Sequence, residues 1–316
     1  MAAPANDILR YIKDDDRNNY TLGRKLGEGG YGAVYEATRR ADRQLVACKV
    51  QTVKTKHDAF YGRRELNVWQ KATYKANHVA RLYDAAFNDQ TGQAYIYMEL
   101  LKGGDLHNFM VSIYKSGQTI HPFLVYHLVS QVAFGLSEIH ARTIIHRDLK
   151  LDNVLLTKKI TPEMNSGLWE LSRNGTVSGR LEPHLLALCN ILFKSQDERL
   201  AVLADFGLSR DETTVGGSVT VVGLQWNPAY SAPEMVSHNY QSPMADIYSY
   251  GVLVYRTYSA LQGLIDCCIS SDPLRRPTAG QIIEQLWPLK MAAMAEISSS
   301  VQRHQKLKQY AAEMAR

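Results

Sequence analysis

Short apolar runs occupy the first third of the 316-residue chain. Alternating hydrophobic positions flank a glycine cluster in residues 20–35, and further apolar runs lie at 45–50, 80–87 and 94–101. Such runs, bounded by turn residues, predict a strand, a glycine turn and two more strands, followed by a strand pair. A helical pattern at residues 57–75 separates the two groups. The pattern therefore predicts a small β-rich lobe at the start of the chain.

The rest of the chain has mainly the 3.6-residue periodicity of helices. In the strongest segment, the apolar side of the predicted helix carries Leu124, Leu128, Val132 and Leu136. The other side carries Phe123, His127, Gln131 and Phe134. Residues 289–316 also follow a helical register, which predicts a terminal helix. A larger, mainly helical lobe is therefore expected after the β-rich one.

The composition is that of an ordinary globular protein, with 45% hydrophobic residues and 36 Lys and Arg against 31 Asp and Glu. It excludes a disordered or collagen-like chain. The net charge of +5 is spread along the sequence, so no nucleic-acid partner is expected. The longest uncharged stretches, at 116–137 and 213–233, contain polar residues, so no membrane span is expected.

The start of the chain lacks the basic segment, apolar core and cleavage site of a secretory signal. We therefore expect a cytoplasmic protein, with the nucleus as the alternative location. The four cysteines fall in no metal-binding spacing, so reduced thiols are expected. They are Cys48, Cys189, Cys267 and Cys268.

Three glycines, Gly27, Gly29 and Gly32, form the pattern G-x-G-x-x-G. Alone, this pattern fits a dinucleotide-binding turn or an ordinary hairpin equally well. A dinucleotide-binding turn leads directly into a helix, whereas a strand pattern continues here, so a hairpin is predicted. Backbone amides without side chains can approach phosphate oxygens, and Tyr31 at the tip could cover them. Lys49 lies in the next predicted strand, where a lysine usually points to solvent.

Three further motifs follow in order, namely HRDLKLDN at 146–153, DFG at 205–207 and APE at 232–234. Together with the glycine pattern and Lys49, they make the chain resemble the eukaryotic-type protein kinases, and within them the Ser/Thr kinase group. The resemblance extends from residue 20 to about residue 286. It implies an α+β fold of two lobes, a small β-rich N-lobe and a larger, mainly α-helical C-lobe.

The resemblance also divides the chain into segments. The expected segments are an N-terminal extension at 1–19, a kinase domain at 20–287 and a C-terminal helical tail at 288–316. Within the kinase domain, we expect the N-lobe at 20–98, the hinge at 99–102 and the C-lobe at 103–287.

The resemblance implies that the chain binds ATP with Mg²⁺ and transfers the γ-phosphate to a hydroxyl group. Lys49 would hold the α- and β-phosphates and pair with Glu65. Asp148 would accept the proton of the attacking hydroxyl, and Lys150 would steady the transferred phosphate. Phosphoryl transfer spreads negative charge over oxygens, so positioned cations and one carboxylate suffice.

The implied nucleotide pocket lies between the lobes, with the phosphates under the three glycines. Backbone groups of the hinge would bind the adenine edge, and apolar side chains would sandwich its ring. Asp105 would bind the ribose hydroxyls, although the turn that contains it could instead serve only to cap a helix. The implied adenine contacts are Glu99 and Leu101 at the edge, and Val34, Ala47 and Leu155 at the ring faces. The hydrophobic column expected in the active state contains Trp69, Leu82, His146 and Phe206.

Lys150, two positions after Asp148, resembles Ser/Thr kinases rather than tyrosine kinases. The resemblance therefore implies a protein substrate with a Ser or Thr acceptor. Arg147 suggests activation by phosphorylation of the segment between DFG and APE, through a charge-assisted contact. The alternative is an exposed polar loop without a switch. The candidate acceptors in that segment are Thr213, Thr214, Ser218 and Thr220.

Asn153 and Asp205, the implied Mg²⁺ ligands, supply the oxygen atoms that this hard cation prefers. They are 52 positions apart, whereas the family usually needs about a dozen. We therefore expect an insert at about 158–198 and interpret it as a docking segment for a regulatory partner. The sequence LDNVLLT around Asn153 is echoed by LCNILFK around Asn190, so either asparagine could be the ligand. The intact motif HRDLKLDN favours Asn153.

A second departure shortens the C-lobe. Asp246 and Arg276 resemble two anchoring residues of the family, yet only 30 positions separate them, about half the usual span. The missing piece corresponds to a helix that commonly docks substrates. Arg276 is still expected to pair with Glu234. Asn227 stands where Ser/Thr kinases usually place a threonine that contacts the catalytic loop.

These departures leave more than one interpretation open. The leading one is an active Ser/Thr protein kinase that uses MgATP. The alternative is a pseudokinase or scaffold that binds nucleotide with little transfer. An insert and a deletion in one chain would also fit a splice or gene-model variant. The sequence predicts no oligomeric state.

Overall fold

The computed structural model describes residues 9–12, 19–29, 32–52, 56–88, 91–174, 199–213, 227–237 and 242–314. Some of the positions considered above lie outside the described residues. They are Tyr31, Cys189, Asn190, Thr214, Ser218 and Thr220.

Six strands form one sheet in the N-lobe. They are β1 (Leu9–Ile12), β2 (Tyr20–Gly29), β3 (Gly32–Arg39), β4 (Leu45–Thr52), β5 (Leu82–Asn88) and β6 (Gln93–Glu99). Across the sheet the order is β1-β5-β6-β4-β3-β2, and every neighbouring pair is antiparallel except β1 and β5. Strands β2 to β6 are the predicted ones. Strand β1 lies in the N-terminal extension, where no apolar run predicted a strand.

Helix α1 (Lys56–Thr73) follows β4 and contacts β5. Its side chains Leu66, Trp69 and Ala72 are buried. They repeat every three residues, which is the spacing of one helical face. The Trp69 indole donates a hydrogen bond of 2.8 Å to the carbonyl of Ala80, just before β5. These contacts fix the helix that carries Glu65 against the sheet.

The C-lobe is mainly helical, which confirms the predicted two-lobed α+β fold. Its described helices are α2 (Leu106–Lys115), α3 (Pro122–His140), α4 (Pro162–Asn174), α5 (Pro233–Ser237), α6 (Pro243–Thr257), α7 (Gln262–Cys268) and α8 (Ala279–Met314). Short 3₁₀ turns lie at Leu151–Asn153, Ser259–Leu261 and Pro273–Arg275. Strand β7 (Ile144–Ile145) pairs with β10 (Arg210–Asp211), and β8 (Val154–Leu156) pairs with β9 (Ala201–Leu203).

Helix α3 forms the centre of the C-lobe core. The four apolar residues predicted on one side are at most 1% exposed. Phe123, His127 and Gln131 of the other side are buried too, because α6, α8 and β9 also pack on this helix. The Oε1 atom of its buried Gln131 accepts hydrogen bonds from the amides of Leu200 (2.6 Å) and Ala201 (2.7 Å). Gln131 is therefore an interior polar group that holds the start of β9.

The insert leaves the fold after β8 and returns at β9. Its first part forms α4, which packs on α8 and on the turn before α3. The Asn165 side-chain oxygen accepts from the amide of His121 (2.7 Å), and the Trp169 indole donates to the carbonyl of Thr119 (3.0 Å). Two leucines of α4 are completely buried. The first half of the insert is thus part of the C-lobe core.

The shortened part of the C-lobe lies between α6 and Arg276, where the chain forms only a 3₁₀ turn and the short helix α7. Helix α7 packs tightly on α6, since a Cβ atom at Gly251 would overlap with the Cβ atom of Cys268. The predicted tail helix is the part of α8 from Pro288 onward, and α8 continues through this proline. Among the described helices, none is both long and apolar enough to cross a membrane.

Candidate functional site

The three glycines lie on the hairpin of β2 and β3, as predicted. Gly27 faces Val34, and Gly29 faces Gly32 across the ladder. Gly32 has a φ of 128°, which side chains of L-residues rarely adopt. A Cβ atom at Gly32 would also overlap with the carbonyl oxygen of Val50. Glycine is therefore required here by the fold itself.

Lys49, Glu65 and Asp205 meet between the lobes. The Lys49 ammonium nitrogen lies 3.9 Å from Oδ1 of Asp205. The DFG glycine Gly207 lies beside both carboxylates, because a Cβ atom there would stand 3.2 Å from Oδ1 of Asp205 and 3.6 Å from Oε1 of Glu65. The structure thus brings the predicted lysine and glutamate to the start of the DFG motif.

Glu65 is in an unfavourable position for a charged group. Its Oε1 atom is buried and has no hydrogen-bond partner among the described residues. Burial raises the pKa of Glu65; Lys49 opposes this shift, whereas Asp205 adds to it. The predicted pairing of Lys49 with Glu65 stays a prediction.

The catalytic loop is held together by hydrogen bonds around Asp148. Lys150 Nζ donates to Oδ2 of Asp148 at 2.7 Å. The Asn153 amide nitrogen donates to the carbonyl of Asp148 (2.7 Å) and to its Oδ2 atom (2.9 Å). Burial opposes the charge of Lys150, but its hydrogen bond and attraction to Asp148 outweigh this effect and raise the pKa of Lys150. The Asp148 carboxylate thus fixes the positions of the Lys150 and Asn153 side chains.

Asp246 anchors the backbone of this loop from α6. Its carboxylate accepts hydrogen bonds of 2.8 Å from the amides of both His146 and Arg147. Nε2 of His140 lies 3.0 Å from Oδ2 of the same carboxylate. Burial acts to raise the pKa of Asp246, but the hydrogen bond and charge of His140 outweigh it and hold this pKa below its ordinary value. The resemblance of Asp246 to the anchoring aspartate of the family is therefore matched by its contacts.

The DFG motif adopts an inward arrangement. The Phe206 side chain is completely buried, with ring-centre distances of 5.9 Å to Trp69 and 5.1 Å to His146. Leu82 belongs to the same buried core. Phe206 thus packs against Trp69 and His146 as predicted, and the place of Leu82 in the column stays a prediction. Asp205 has a φ of 60°, a conformation that non-glycine residues seldom adopt, so its backbone carries strain.

Asn153 lies next to the DFG segment, because its carbonyl accepts a hydrogen bond of 2.9 Å from the amide of Ala204. Strand β8, which follows Asn153, pairs with β9, which precedes Asp205. The structure thus brings Asn153 and Asp205 together, while Asn190 lies outside the described residues. The insert therefore leaves from the ladder of β8 and β9.

The donor set of these two residues fits Mg²⁺. The side-chain nitrogen of Asn153 donates its hydrogen bonds to Asp148. The side-chain oxygen Oδ1 is therefore the atom of this amide that can bind a metal ion. Asp205 contributes a carboxylate that is about one-third exposed. In the described part of the chain, no group of three His, Cys, Asp or Glu residues could hold a metal ion by itself. Mg²⁺ suits such a sparse site, because it completes its coordination with phosphate oxygens and water.

The predicted adenine contacts surround the junction of the lobes. Ala47 is buried in β4 and faces Met98 of β6, directly before the hinge. Leu155 pairs with Asp105 across an isolated bridge. Val34 on β3, and Glu99 and Leu101 in the hinge, are half-buried. These residues lie in the strands and the hinge that join the lobes, and their contacts with adenine stay predictions.

Asp105 caps helix α2. Its Oδ1 atom accepts from the amide of Asn108 and its Oδ2 atom from the Asn108 side chain, both at 2.7 Å. The capping role considered from the sequence is therefore present. Its ribose-binding role remains a prediction.

The segment after DFG is held by a polar cluster. Lys71 of α1 forms an ion pair of 2.7 Å with Asp211, and the Asp211 carboxylate also accepts from the hydroxyl of Thr213 (2.7 Å). Thr213 is the one candidate phosphorylation site within the described ranges. Asn227 bonds within its own turn, because its side-chain oxygen accepts from the amide of Ala229 (3.1 Å).

Four contributing residues were not predicted from the sequence, namely Lys71, Gln131, His140 and Arg199. Each is a polar residue that contacts a distant segment. Gln131 carried a usable signal, because it follows the buried helical pattern of α3 although it is polar. Arg199 carried none, because its partner Glu99 is 100 positions away.

Comparison with known proteins identifies the family. A model of the protein kinase domain matches residues 20–164 and 186–260. The chain is 32% identical to testis-specific serine/threonine-protein kinase 4 of Homo sapiens over 160 residues, which cover 50% of this chain and 46% of that protein. It is 25% identical to the mitogen-activated protein kinase kinase mkk2 of Aspergillus fumigatus over 312 residues, which cover 84% of this chain and 53% of the relative.

A bacterial relative matches over a similar range. Serine/threonine-protein kinase PknH of Mycobacterium tuberculosis is 25% identical over 268 residues, covering 84% of this chain and 33% of that protein. The chain thus spans about a third to a half of the length of these relatives. The family model covers more than half of the chain, and the matched residues include the catalytic loop and the DFG segment that the fold places side by side. This chain therefore belongs to the eukaryotic-type protein kinase family.

Proposed function

We propose that this protein is an ATP-dependent protein kinase that transfers the γ-phosphate of MgATP to Ser or Thr hydroxyls of protein substrates. The observation that carries this proposal is the bonded group of Asp148, Lys150 and Asn153, joined through Asn153 to the residue before Asp205. A carboxylate, an ammonium group and two oxygen ligands at one point are the parts that phosphoryl transfer needs.

In the proposed reaction, the acceptor oxygen forms a bond to the γ-phosphorus while the bond from that phosphorus to the bridging oxygen breaks. The electron pair leaves on ADP, and the hydroxyl proton passes to the carboxylate of Asp148. The hydrogen bonds from Lys150 and Asn153 hold this carboxylate in place. Positioned donors stabilise developing charge without the cost of reorienting water.

The roles of the other residues follow from their positions. Asp205 and Asn153 would hold Mg²⁺, which neutralises phosphate charge when bound. When nucleotide binds, the Lys49 ammonium group would move from Asp205 toward the α- and β-phosphates. Lys49 would then donate to Oε1 of Glu65 the hydrogen bond that this atom lacks. The amides of the glycine hairpin would face the phosphates.

The Ser/Thr preference rests on Lys150, two positions after Asp148, and on the Ser/Thr kinases among the relatives. We further propose a cytoplasmic location, with the nucleus as the alternative, and a regulatory protein partner at the insert.

Phosphate transfer to a generic Ser/Thr protein substrate, and to the protein itself, tests the proposal. Asp148→Asn should lower kcat by at least about 1,000-fold, because it removes the proton acceptor but keeps the shape of the side chain. The matched control is Asp266→Asn, at an exposed position of α7 outside the catalytic loop, which should retain the activity of the unmodified protein. Transfer that survives Asp148→Asn would contradict the proposed role.

A second candidate function is nucleotide binding without transfer. The shortened region between α6 and Arg276 favours it, because the C-lobe there offers only a 3₁₀ turn and the seven residues of α7. Binding of MgATP by the unmodified protein, with no phosphate transfer to any acceptor in a Ser/Thr peptide array, would select this candidate.

A further inference from the structure

The base of the insert touches both ends of the hinge. We call Thr157, Lys158, Arg199 and Leu200 the insert root. On the outgoing side, the amide of Gly103 donates to the carbonyl of Leu156 at 2.8 Å. A Cβ atom at Gly103 would overlap with the carbonyl oxygen of Lys158, so the backbone after the hinge lies directly on the root.

On the returning side, Arg199 contacts the start of the hinge. Its guanidinium group forms a hydrogen-bonded ion pair with Oε1 of Glu99. The side chains are 18% and 17% exposed, so solvent screens this pair less than a surface pair. Arg199 also donates to the carbonyl of Asn77 at 3.0 Å, in the loop that precedes β5.

The insert root is itself firmly held. The Thr157 amide donates to the carbonyl of Leu200, and the Thr157 hydroxyl donates to the carbonyl of Arg199, both at 2.9 Å. The amide of Leu200 is fixed by Gln131 of α3 at 2.6 Å. A displacement of the insert root must therefore move Arg199 relative to the hinge, or break these bonds.

Glu99 is the hinge residue on which these contacts converge. Its amide donates to the carbonyl of Arg81 at 2.9 Å, and its Oε2 atom accepts from the Arg81 amide at 3.3 Å. Its Oε1 atom is the one bound by Arg199. Arg199 of the insert root thus binds the side chain of the hinge residue whose backbone is implied to bind adenine.

We propose that Arg199 is a positioning residue for nucleotide binding, through which the insert is coupled to the adenine site. The coupling rests on the proposed nucleotide-binding function. Because linkage is reciprocal, a protein partner that displaces the insert root changes nucleotide affinity, and nucleotide binding changes the stability of the insert root.

Direct binding of MgATP and MgADP, measured by calorimetry, tests this proposal without relying on phosphate transfer. Arg199→Gln should raise both dissociation constants by about fivefold to tenfold, the size expected for losing one charge-assisted hydrogen bond. Its effect on kcat at saturating ATP should stay below about twofold, because a positioning residue for binding leaves the transferring groups intact. Arg173→Gln is the matched control, since Arg173 is an exposed arginine of the same insert, and it should leave both constants unchanged.

Two further measurements distinguish a positioning role of Arg199 in nucleotide binding from a general effect of Arg199 on the stability of the fold. In a Glu99→Ala background, Arg199→Gln should cause no further loss of affinity, because the carboxylate through which Arg199 acts is absent. Saturating MgADP should slow amide hydrogen exchange at Thr157, Leu200 and Ala201 in the unmodified protein, and less so in Arg199→Gln. Arg199→Lys keeps the charge but loses the planar fork, so it should give an intermediate affinity even if Arg199→Gln unfolds.

The outcomes distinguish the coupling from the proposed function. Equal dissociation constants for the unmodified protein, Arg199→Gln and Arg199→Lys would overturn the coupling and leave the proposed function standing. Absence of nucleotide binding by the unmodified protein would overturn the proposed function, and the coupling with it. A loss of affinity that is as large in Arg173→Gln would also overturn the coupling.

Discussion

Glu65 is an interior residue whose position costs the nucleotide-free protein stability. Its carboxylate is buried beside Asp205, and its Oε1 atom has no hydrogen-bond partner among the described residues. A buried acceptor without a partner costs about 1 to 3 kcal/mol. Such a cost is consistent with a residue whose partner arrives only when nucleotide binds.

Glu65→Gln should therefore be more stable than the unmodified protein at neutral pH, by an amount on the order of 1 kcal/mol, while phosphate transfer falls. The pKa of Glu65 is raised in the folded protein, so above the ordinary pKa of glutamate the folded state binds this proton more tightly than the unfolded state does. This carboxylate therefore destabilises the fold as the pH rises above its ordinary pKa, and the neutral amide avoids that loss.

Urea unfolding at pH 7 and at pH 4.5 measures this effect, and the gain should shrink at the lower pH. The control is Glu284→Gln, at an exposed position of α8, which should change stability little at either pH. A Glu65→Gln protein that is less stable at pH 7 would show that the carboxylate stabilises the nucleotide-free fold.

The residues of the site were predicted from motifs whose members are close in sequence. Asp148, Lys150 and Asn153 lie within one loop, so their spacing alone indicated that they would meet. The positions of Glu65 and Arg199 depended on contacts between distant segments. The sequence does not reveal which distant residues these side chains meet, because that is set by how α1 and β9 pack on the rest of the protein.

At the scale of elements, helix α4 depends on a neutral histidine. His121 caps α3 by accepting from the amide of Phe123 at 3.2 Å, and its other ring nitrogen lies 2.9 Å from the hydroxyl of Ser172 on α4. Its ring meets Trp169 edge-on at 4.7 Å. Burial lowers the pKa of His121 to about 4, so the ring is uncharged at neutral pH.

Mild acid should therefore weaken the fold through His121. Between its ordinary pKa of 6.5 and about 4, the unfolded chain binds a proton that the folded protein excludes. Stability is complete above pH 6.5 and is lost as the pH falls, by about 2 kcal/mol at pH 5 for this group. Denaturant unfolding between pH 7 and pH 5 measures the loss.

The control variant for the pH dependence is His121→Asn, because asparagine can still cap α3 but does not titrate. Its stability should be lower than that of the unmodified protein at pH 7, and the difference should narrow toward pH 5. Parallel curves for the two proteins over this range would show that His121 does not carry the pH dependence.

At the scale of the whole molecule, a buried ion pair ties the APE segment to the end of the shortened C-lobe. Arg276 forms a two-pronged pair with Glu234, at 2.6 and 2.9 Å, and also donates to the carbonyls of Ser270 and Met244. The Arg276 side chain is completely buried. The predicted pair therefore forms although the intervening chain is about half the usual length.

Arg276→Met should destabilise the protein by about 3 to 5 kcal/mol, because it leaves the Glu234 carboxylate buried without its partner. The neighbouring Arg275→Met is the control, since Arg275 makes only an exposed pair with Asp272 and should cost less than about 1 kcal/mol. Thermal unfolding of both variants tests the contrast. Equal losses of stability in the two variants would mean that burial does not make the Arg276–Glu234 pair more stabilising than an exposed pair.

The overall architecture was predictable because two periodicities divide the chain, period two before the hinge and 3.6 after it. The insert was predictable as a length anomaly between Asn153 and Asp205, but not as a folded element. Its helix α4 has buried residues whose partners belong to α8 and to the turn before α3. Strand β1 was missed because its pairing with β5 joins segments more than 70 residues apart.

The packing of α4 on α8 has a consequence for how the chain is made. Helix α4 ends at Asn174 and α8 begins at Ala279, about 100 residues later. At a synthesis rate of roughly 5 to 20 residues per second, α4 waits about 5 to 20 seconds for its partner to be translated. During that interval the contacts between α4 and α8 cannot form. The core of the C-lobe therefore stays open beside α4 until α8 has been translated.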